Sequence, residues 1–238
     1  MTQGTHQLAA TMINQLNRVD VISNNLANLN TTGFKADSLS EGSFNSYLER
    51  ATEKKENISK VSYIMNTVPK IDNNYINSKI GSLSITGNKF DFALSQSNTY
   101  FKIQMPNGDI QLTRDGKFKT LDNILVTQNG NKVLDHENKP INSSDSLFVS
   151  KISLVSENFV DLKKVGNNNY LSNNKNTKKI DNNLDYLVQG SIEKSNTNSV
   201  QSMISMIDAQ RRFEQAQKAI TSIDEINKKV IADVGSVR

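Results

Sequence analysis

Residues 206–237 read MIDAQRRFEQAQKAITSIDEINKKVIADVGSV, and the spacing of their apolar positions decides the architecture. Met206, Ala209, Phe213, Ala216, Ile220, Ile223, Asn227, Val230, Val234 and Val237 follow one another at alternating intervals of three and four, without a slip. All but Asn227 are apolar, and such a period marks the seam of a long helix packed on another helix. The remaining positions alternate in charge, with Asp208, Arg211, Arg212, Glu214, Lys218, Asp224, Glu225, Lys228 and Lys229, as a solvated or inter-chain face does. At ~1.5 Å per residue the segment is roughly 45 Å long, whereas a compact globule of this size has a radius of gyration of only ~18 Å. A projecting helix and an elongated molecule follow as expectations. Upstream, Val200, Met203 and Ile207 read as an extension of the apolar face one position out of register, and Asn198 with Gln201 as a helix-start pattern.

The N-terminus carries a shorter version of the same signal. Ala9, Met12, Leu16, Val19, Ser23 and Leu26 recur at the same alternating intervals. Single polar members such as Ser23 and Asn227 are a known means of choosing register and partner. The helix is expected to end near Asn30, with Gly33 as its left-handed cap. Asn24, Asn25 and Asn28 are poor helix formers. Fraying of the helix end and amide contacts to neighbouring chains account for them equally well.

Between the two seams the period shortens. Tyr100 to Met105 and Ile110 to Thr113 flank Pro106-Asn107-Gly108-Asp109, a strong hairpin signal. Asp115-Gly116 and Asn129-Gly130 separate further short β-like runs, Lys117 to Leu121, Ile124 to Thr127 and Lys132 to Leu134. Three Asx-Gly turns thus predict a meander of small strands. Leu147-Phe148-Val149 and Ile152 to Val155 read as more strands, and Asn167 to Asn169 and Asn173 to Asn176 as loops. From Ala36 to Ser78, including the charged stretch Glu49 to Lys60 and the polar stretch around Pro69, the pattern is that of an extended connector with one short hairpin.

Composition removes several classes of function. The chain has 238 residues, a net charge of +4 and an apolar fraction of 36%, against roughly 45–50% for soluble globular domains. Asparagine, at 32 residues, takes up the difference. Compositional drift explains this, as does a core completed by neighbouring chains. The absence of Cys excludes disulfide frameworks, thiolate nucleophiles, zinc fingers and iron–sulfur ligation. His6 and His136 are the two imidazoles, too few for a His-based metal site or an evident base for a Ser nucleophile. No apolar run approaches ~18 residues, and the N-terminus lacks the basic and apolar regions of a cleavable signal. A charge of +4 over the whole length is a weak field, which argues against nucleic acid. Thr86-Gly87-Asn88 and Thr113-Arg114-Asp115-Gly116 read as turns, since neither follows a strand and opens a helix as phosphate-binding loops do. Asp224 and Glu225 are adjacent on a helix and point to different faces, so they form no acid/base pair. No catalytic, cofactor-binding or metal-binding residue emerges.

Ser23-Asn24-Asn25-Leu26-Ala27-Asn28-Leu29-Asn30-Thr31-Thr32-Gly33-Phe34-Lys35 resembles the N-terminal signature of the bacterial flagellar axial proteins of rod and hook. Gln189 to Asn196, then Met203 to Glu214, Lys218 and Asp224-Glu225, is similar to their C-terminal pattern. Ile85 to Asn88, Phe101, Pro106 to Gly108, Thr113 to Phe118, Leu125 to Thr127, Gly130, Val133-Leu134 and Pro140-Ile141 resemble the β-domain motifs of the rod proteins, those of the proximal type first and the distal type next.

The resemblance implies an α+β chain whose N- and C-terminal helices pair as an elongated coiled coil beside a small central all-β domain. Residues 1–32 are then an N-terminal assembly helix, 33–78 an extended connector, 79–195 the β-rich domain and 196–238 a C-terminal assembly helix. It implies a structural subunit of the basal-body rod, not an enzyme, with no cofactor and no membrane insertion. Its partners are copies of itself, other rod and axial proteins, and the flagellar type III export apparatus, which needs no cleaved signal. The expected subunit interface comprises Met12, Leu16, Val19, Asn24, Asn25, Leu26 and Asn28, with Met203, Met206, Ile207, Phe213, Ile220, Ile223, Asn227 and Val230. Rival readings are a distal rod or hook-type axial protein, a soluble coiled-coil adaptor whose β-domain binds a peptide or glycan, and a cell-wall enzyme on a rod-like scaffold.

Overall fold

The structure, a computed structural model, describes residues 3–42, 70–173, 178–180 and 182–235. The charged stretch Glu49 to Lys60, the connector at Pro69, Asn174 to Asn176 and the last seam position, Val237, lie outside the described residues. The fold is α+β and divides into two compact units. One comprises Met1–Leu26, Asp37–Tyr75 and Ser199–Arg238, the other Ala27–Ala36 and Ile76–Asn198.

The first unit carries the two long helices. Helix α1 runs Gln3–Ala27 and α2 runs Ser199–Gly235. The 37 residues of α2 span roughly 55 Å at the α-helical rise, and the helix opens one residue after Asn198. Strands β1 (Asp37–Gly42) and β2 (Lys70–Ile76) pair into a two-stranded sheet. Helix α1 stops at Ala27, short of the expected Asn30, where Asn28 organises a turn: its carbonyl accepts the Thr31 N–H at 3.2 Å and its side-chain oxygen accepts the Thr31 hydroxyl at 3.1 Å. Gly33 is left-handed, with φ +65°, but lies too far downstream to cap α1. Its missing side chain serves a different end, because a Cβ there would overlap the Arg114 carbonyl.

The second unit is built from β3 (Leu83–Ile85), β4 (Phe92–Leu94), β5 (Thr99–Gln104), β6 (Ile110–Thr113), β7 (Phe118–Leu121), β8 (Ile124–Thr127) and β9 (Lys132–Val133). It continues with β10 (Leu154–Ser156), β11 (Leu162–Lys164), β12 (Asn169–Ser172), β13 (Lys178–Lys179), β14 (Leu187–Gln189) and β15 (Ser191–Glu193). Nine strands form one sheet in the order β11-β12-β6-β5-β9-β8-β7, with β10 beside β5 and β13 beside β10. Two ribbons, β4–β14 and β3–β15, complete it.

Strand alternation explains why both faces of β5 are dry. Phe101 and Ile103 point into a cluster with Phe92, Phe118, Leu125 and Ile152, while Tyr100 joins Leu112, Val155 and Tyr170 on the opposite face. The rings meet edge to face: Phe101 and Phe118 at 5.0 Å, Tyr100 and Tyr170 at 5.6 Å.

The hairpins at Asn107-Gly108 and Asn129-Gly130 are present, with Gly108 and Gly130 at φ +91° and +84°. Asp115-Gly116, in contrast, is no hairpin turn. Strands β6 and β7 are not neighbours, and Gly116 is needed because a Cβ would overlap the Phe92 carbonyl. The turn that does pair β7 with β8 is Asp122-Asn123, both left-handed at φ +49° and +61°. Phe148–Lys151 forms one helical turn where Leu147 to Val149 had read as a strand. The Asn183 side-chain amide explains it, donating to the carbonyls of Val149, Ser150 and Ile152 at 3.1, 2.9 and 2.8 Å.

Candidate assembly interface

On α2 the expected seam is sheltered along its first part. Ala209 and Ala216 are buried, and Met206, Phe213, Ile220 and Ile223 are half-buried. Beyond Ile223 the same face is open, with Asn227 and Val230 exposed. Upstream the sheltered line continues through Ser205 and Ser202, not through Met203 and Ile207. At 100° per residue, Val200, Met203, Ile204 and Ile207 lie on the side of α2 opposite the seam. They stand in solvent there, Val200 at 66% exposure.

Helix α1 turns a different face inward from the one its apolar spacing predicts. Gln15 and Asn25 are its buried residues, and Leu8, Met12, Val19, Ile22 and Leu26 are half-buried, while Ala9 and Leu16 are exposed. The sheltered line Leu8, Thr11, Gln15, Arg18, Ile22, Asn25 is thus the expected seam displaced by one position. Asn25 supplies the reason: its Nδ2 donates to the Asp37 carbonyl at 2.7 Å, and its Oδ1 accepts the Asp37 N–H at 2.9 Å. This pair of bonds sets the rotation of α1 about its axis, and the helical period carries that choice back along the helix. Asn24 is exposed and Asn28 half-buried in the turn after α1.

Both helices lead from a junction inside the second unit. The segment that follows α1, Thr32 to Ala36, runs beside the segment that precedes α2, Glu193 to Asn196. The Gly33 N–H donates to the Glu193 carbonyl at 2.7 Å, the Asn196 N–H to the Phe34 carbonyl at 3.3 Å, and the Ala36 N–H to the Asn196 side-chain oxygen at 2.8 Å. Lys164 donates to the Lys35 carbonyl at 2.6 Å with its ammonium 4.6 Å from the centre of the Phe34 ring. The Thr32 hydroxyl donates to Asp115, whose carboxyl is raised by burial.

At its centre is a buried ionic cluster. Lys35 Nζ lies 2.6 Å from Glu193 Oε1, and Arg114 reaches Glu193 Oε2 through Nε at 2.9 Å and Nη2 at 2.7 Å. The Lys35 and Arg114 side chains are 0% exposed and that of Glu193 1%. Arg114 Nη1 donates to the carbonyls of Gln96, Ser97 and Thr99, and Lys35 Nζ to that of Lys79. Burial pulls the Lys35 ammonium down to about 8, the Arg114 charge adds to this, and Glu193 only partly offsets both. Arg114, in a stretch whose sequence reads as a turn, thus holds one of the chain's own carboxylates. Spacing alone gave no sign of the cluster, because residues 35, 114 and 193 meet only in the fold. Thr86 to Asn88 is a turn, with the Thr86 hydroxyl donating to Asp91 at 2.7 Å. Among the described residues no helix is long and apolar enough to cross a membrane.

Three family descriptions match in order along the chain. They are "Flagella basal body rod protein" over residues 8–35, "Flagellar hook protein FlgE/F/G D1 domain" over 96–160, and "Flagellar basal body rod FlgEFG protein C-terminal" over 188–233. The chain is 30% identical to the flagellar basal-body rod protein FlgG of Buchnera aphidicola subsp. Baizongia pistaciae, covering 89% of this chain and 92% of the relative. It is 30% identical to FlgF of Mesorhizobium japonicum and 29% identical to FlgF of Caulobacter vibrioides, with 92% of both chains covered in each case. The first of the three matches begins in α1 and ends at Lys35, and the last contains Glu193 and almost all of α2, so the chain belongs to the flagellar basal-body rod proteins.

Proposed function

We propose that this structural rod subunit polymerises through α1 and α2 into the shaft that links the flagellar motor to the hook. The observation that carries the reading is the two-sided apolar character of α2: a sheltered seam on one side, and Val200, Met203, Ile204 and Ile207 bare on the other. No single covering element masks two opposite faces of a helix, so the second calls for a neighbouring subunit. In this reading α1 and α2 pair as a coiled coil along Met206 to Ile223. Leu16, Asn24, Met203, Ile207, Asn227 and Val230, already in solvent, meet neighbours first. Met12, Val19, Leu26, Asn28, Met206, Phe213, Ile220 and Ile223 complete the interface from the seam side, and Asn25 contributes by holding α1 in its rotation.

Copies of the same chain and other axial proteins are the partners, and the export apparatus delivers the chain to the periplasm-spanning rod without a cleaved signal. The role is structural and non-enzymatic, with β-domain residues outside the polymer contacts. The FlgF relatives support a place in the proximal rod; comparable identity to FlgG supports the distal rod as the second reading. The decisive experiment combines Ile207→Asp with helical reconstruction of purified basal bodies. The substitution falls on a residue already solvated in the single chain, so the monomer stays folded while incorporation is lost. Density for the wild-type chain near the base of the rod fits the proximal place. Normal rods built from Ile207→Asp subunits refute the interface.

A further inference from the structure

The junction holds two buried cations against one carboxylate, an imbalance that ordinary packing does not require. The two adjoining segments are tied to each other through the Gly33, Asn196 and Ala36 bonds; Lys164 on the Lys35 carbonyl fastens the first to the sheet and the β3–β15 pairing holds the second, but neither fastens both at once. Glu193 does. Its Oε1 accepts from Lys35 and from the Gly81 N–H at 2.9 Å, and its Oε2 accepts twice from Arg114, which in turn grips the 96–99 loop. With Glu193 in place, Lys35 and Arg114 are bridged. With it gone, two buried like charges face one another, and at a pH low enough to keep Lys35 protonated their repulsion drives the segments apart.

We propose that the Lys35–Glu193–Arg114 cluster is a conformational latch: one buried carboxylate holds the adjoining segments at the roots of α1 and α2 against the β-unit, so that both roots dock or release as a single body. The other ties around it are Lys164 to the Lys35 carbonyl at 2.6 Å, Thr32 to Asp115, Asn168 to the Thr32 carbonyl at 2.8 Å, and Asn196 to the carbonyls of Asn77 and Lys79, both at 2.9 Å. They orient the roots without opposing that repulsion. The stored repulsion makes release all-or-none, and the chain keeps a folded β-unit on either side of it.

Amide hydrogen exchange on the full-length chain tests this. Gly33, Ala36, Gly81 and Asn196 report on the latch, and Leu125 and Leu134, whose N–H groups donate to the Ile141 and Lys102 carbonyls, report on the sheet. In the wild type the four latch amides show one common protection, below that of the sheet. Glu193→Gln lowers all four by about a hundredfold or more and leaves Leu125 and Leu134 unchanged. Lys35→Met removes the excess cation, keeps the Glu193–Arg114 pair, and changes the four together by less than about tenfold. Loss confined to Gly81, equal loss in the sheet, or failure of Glu193→Gln to fold overturns the latch. A loss in Lys35→Met as large as in Glu193→Gln overturns the repulsion that drives it.

Discussion

Raising the pH from 7 to 10 stabilises this protein through Lys35, against the usual behaviour of a paired lysine. The folded ammonium loses its proton near pH 8, whereas an unfolded lysine holds it to 10.5. Between those values the unfolded chain binds more protons, so stability climbs with pH. Below 8 both states are charged and the cost of burying the charge is fully present. Above 10.5 both are neutral and the cost is gone. Integrated over the interval at about 1.4 kcal/mol per unit, the gain from pH 7 to pH 10 is roughly 2–3 kcal/mol. Tyr100, pushed upward by burial, acts in the opposite sense above pH 10, where the unfolded phenol ionises first, so the measurement ends there. The assay is urea unfolding of wild type and Lys35→Met, followed by far-ultraviolet circular dichroism at half-unit steps of pH. Lys102, also lowered, first by burial and then by the Lys179 charge, contributes equally to both proteins and cancels in the difference. The difference curve rises by roughly 2–3 kcal/mol across the range if the reasoning is right. Parallel curves, or a wild type that loses stability relative to the variant, refute it.

Two further substitutions probe the geometry that roots the helices. Gly33→Ala forces a side chain into a left-handed residue and onto the Arg114 carbonyl; it costs about 3 kcal/mol in urea unfolding, and a change under about 1 kcal/mol shows that the segment yields. Asn25→Ala removes both bonds to Asp37 and costs about 2 kcal/mol, with Asp37 amide protection lost first; unchanged protection there means that something else sets the rotation of α1.

What was legible in the sequence was what local chemistry decides. A 3.5-residue period over more than thirty positions has few structural solutions, and α2 is a long helix whose sheltered face lies where the spacing puts it from Met206 to Ile223. Asn107-Gly108 and Asn129-Gly130 turn because their own backbone preferences make them turn. Asp122-Asn123 does the same work without a glycine, so it escaped notice. The misreadings share one cause, a partner far along the chain. Asp115-Gly116 has the composition of a turn but exists for the approach of Phe92. Phe148–Lys151 is apolar enough for a strand and is wound up by Asn183. The seam of α1 was sought among its most apolar residues, yet its rotation is set by Asn25 binding a backbone twelve residues on. Lys35, Arg114 and Glu193 were quoted within motifs, but their union depends on the whole second unit being folded.

The low apolar fraction, 36%, also acquires a location. In the second unit it is no handicap, since Phe92, Leu94, Phe101, Ile103, Leu125, Leu134, Ile152 and Leu154 are sealed from water. Its exposed apolar residues, such as Ile85, Leu147 and Val160, are scattered over separate strands and turns, whereas on the helices they line up: Ile13 and Leu16 on α1, and on α2 Val200, Met203, Ile204 and Ile207 on one side and Ile226, Val230 and Ile231 toward its end, Ile231 at 72% exposure. A helix of 37 residues draws most of its stability from packing, not from propensity, and a helix apolar on opposite sides belongs between neighbours. Among the described residues, none of the apolar side chains folds back over these positions of α2. A polymer solves it with the residues present, because each copy offers the surface its neighbour lacks. The same scarcity that weakens α2 in isolation thus makes its burial conditional on assembly, and it leaves the β-unit, with a core of its own, independent of that condition.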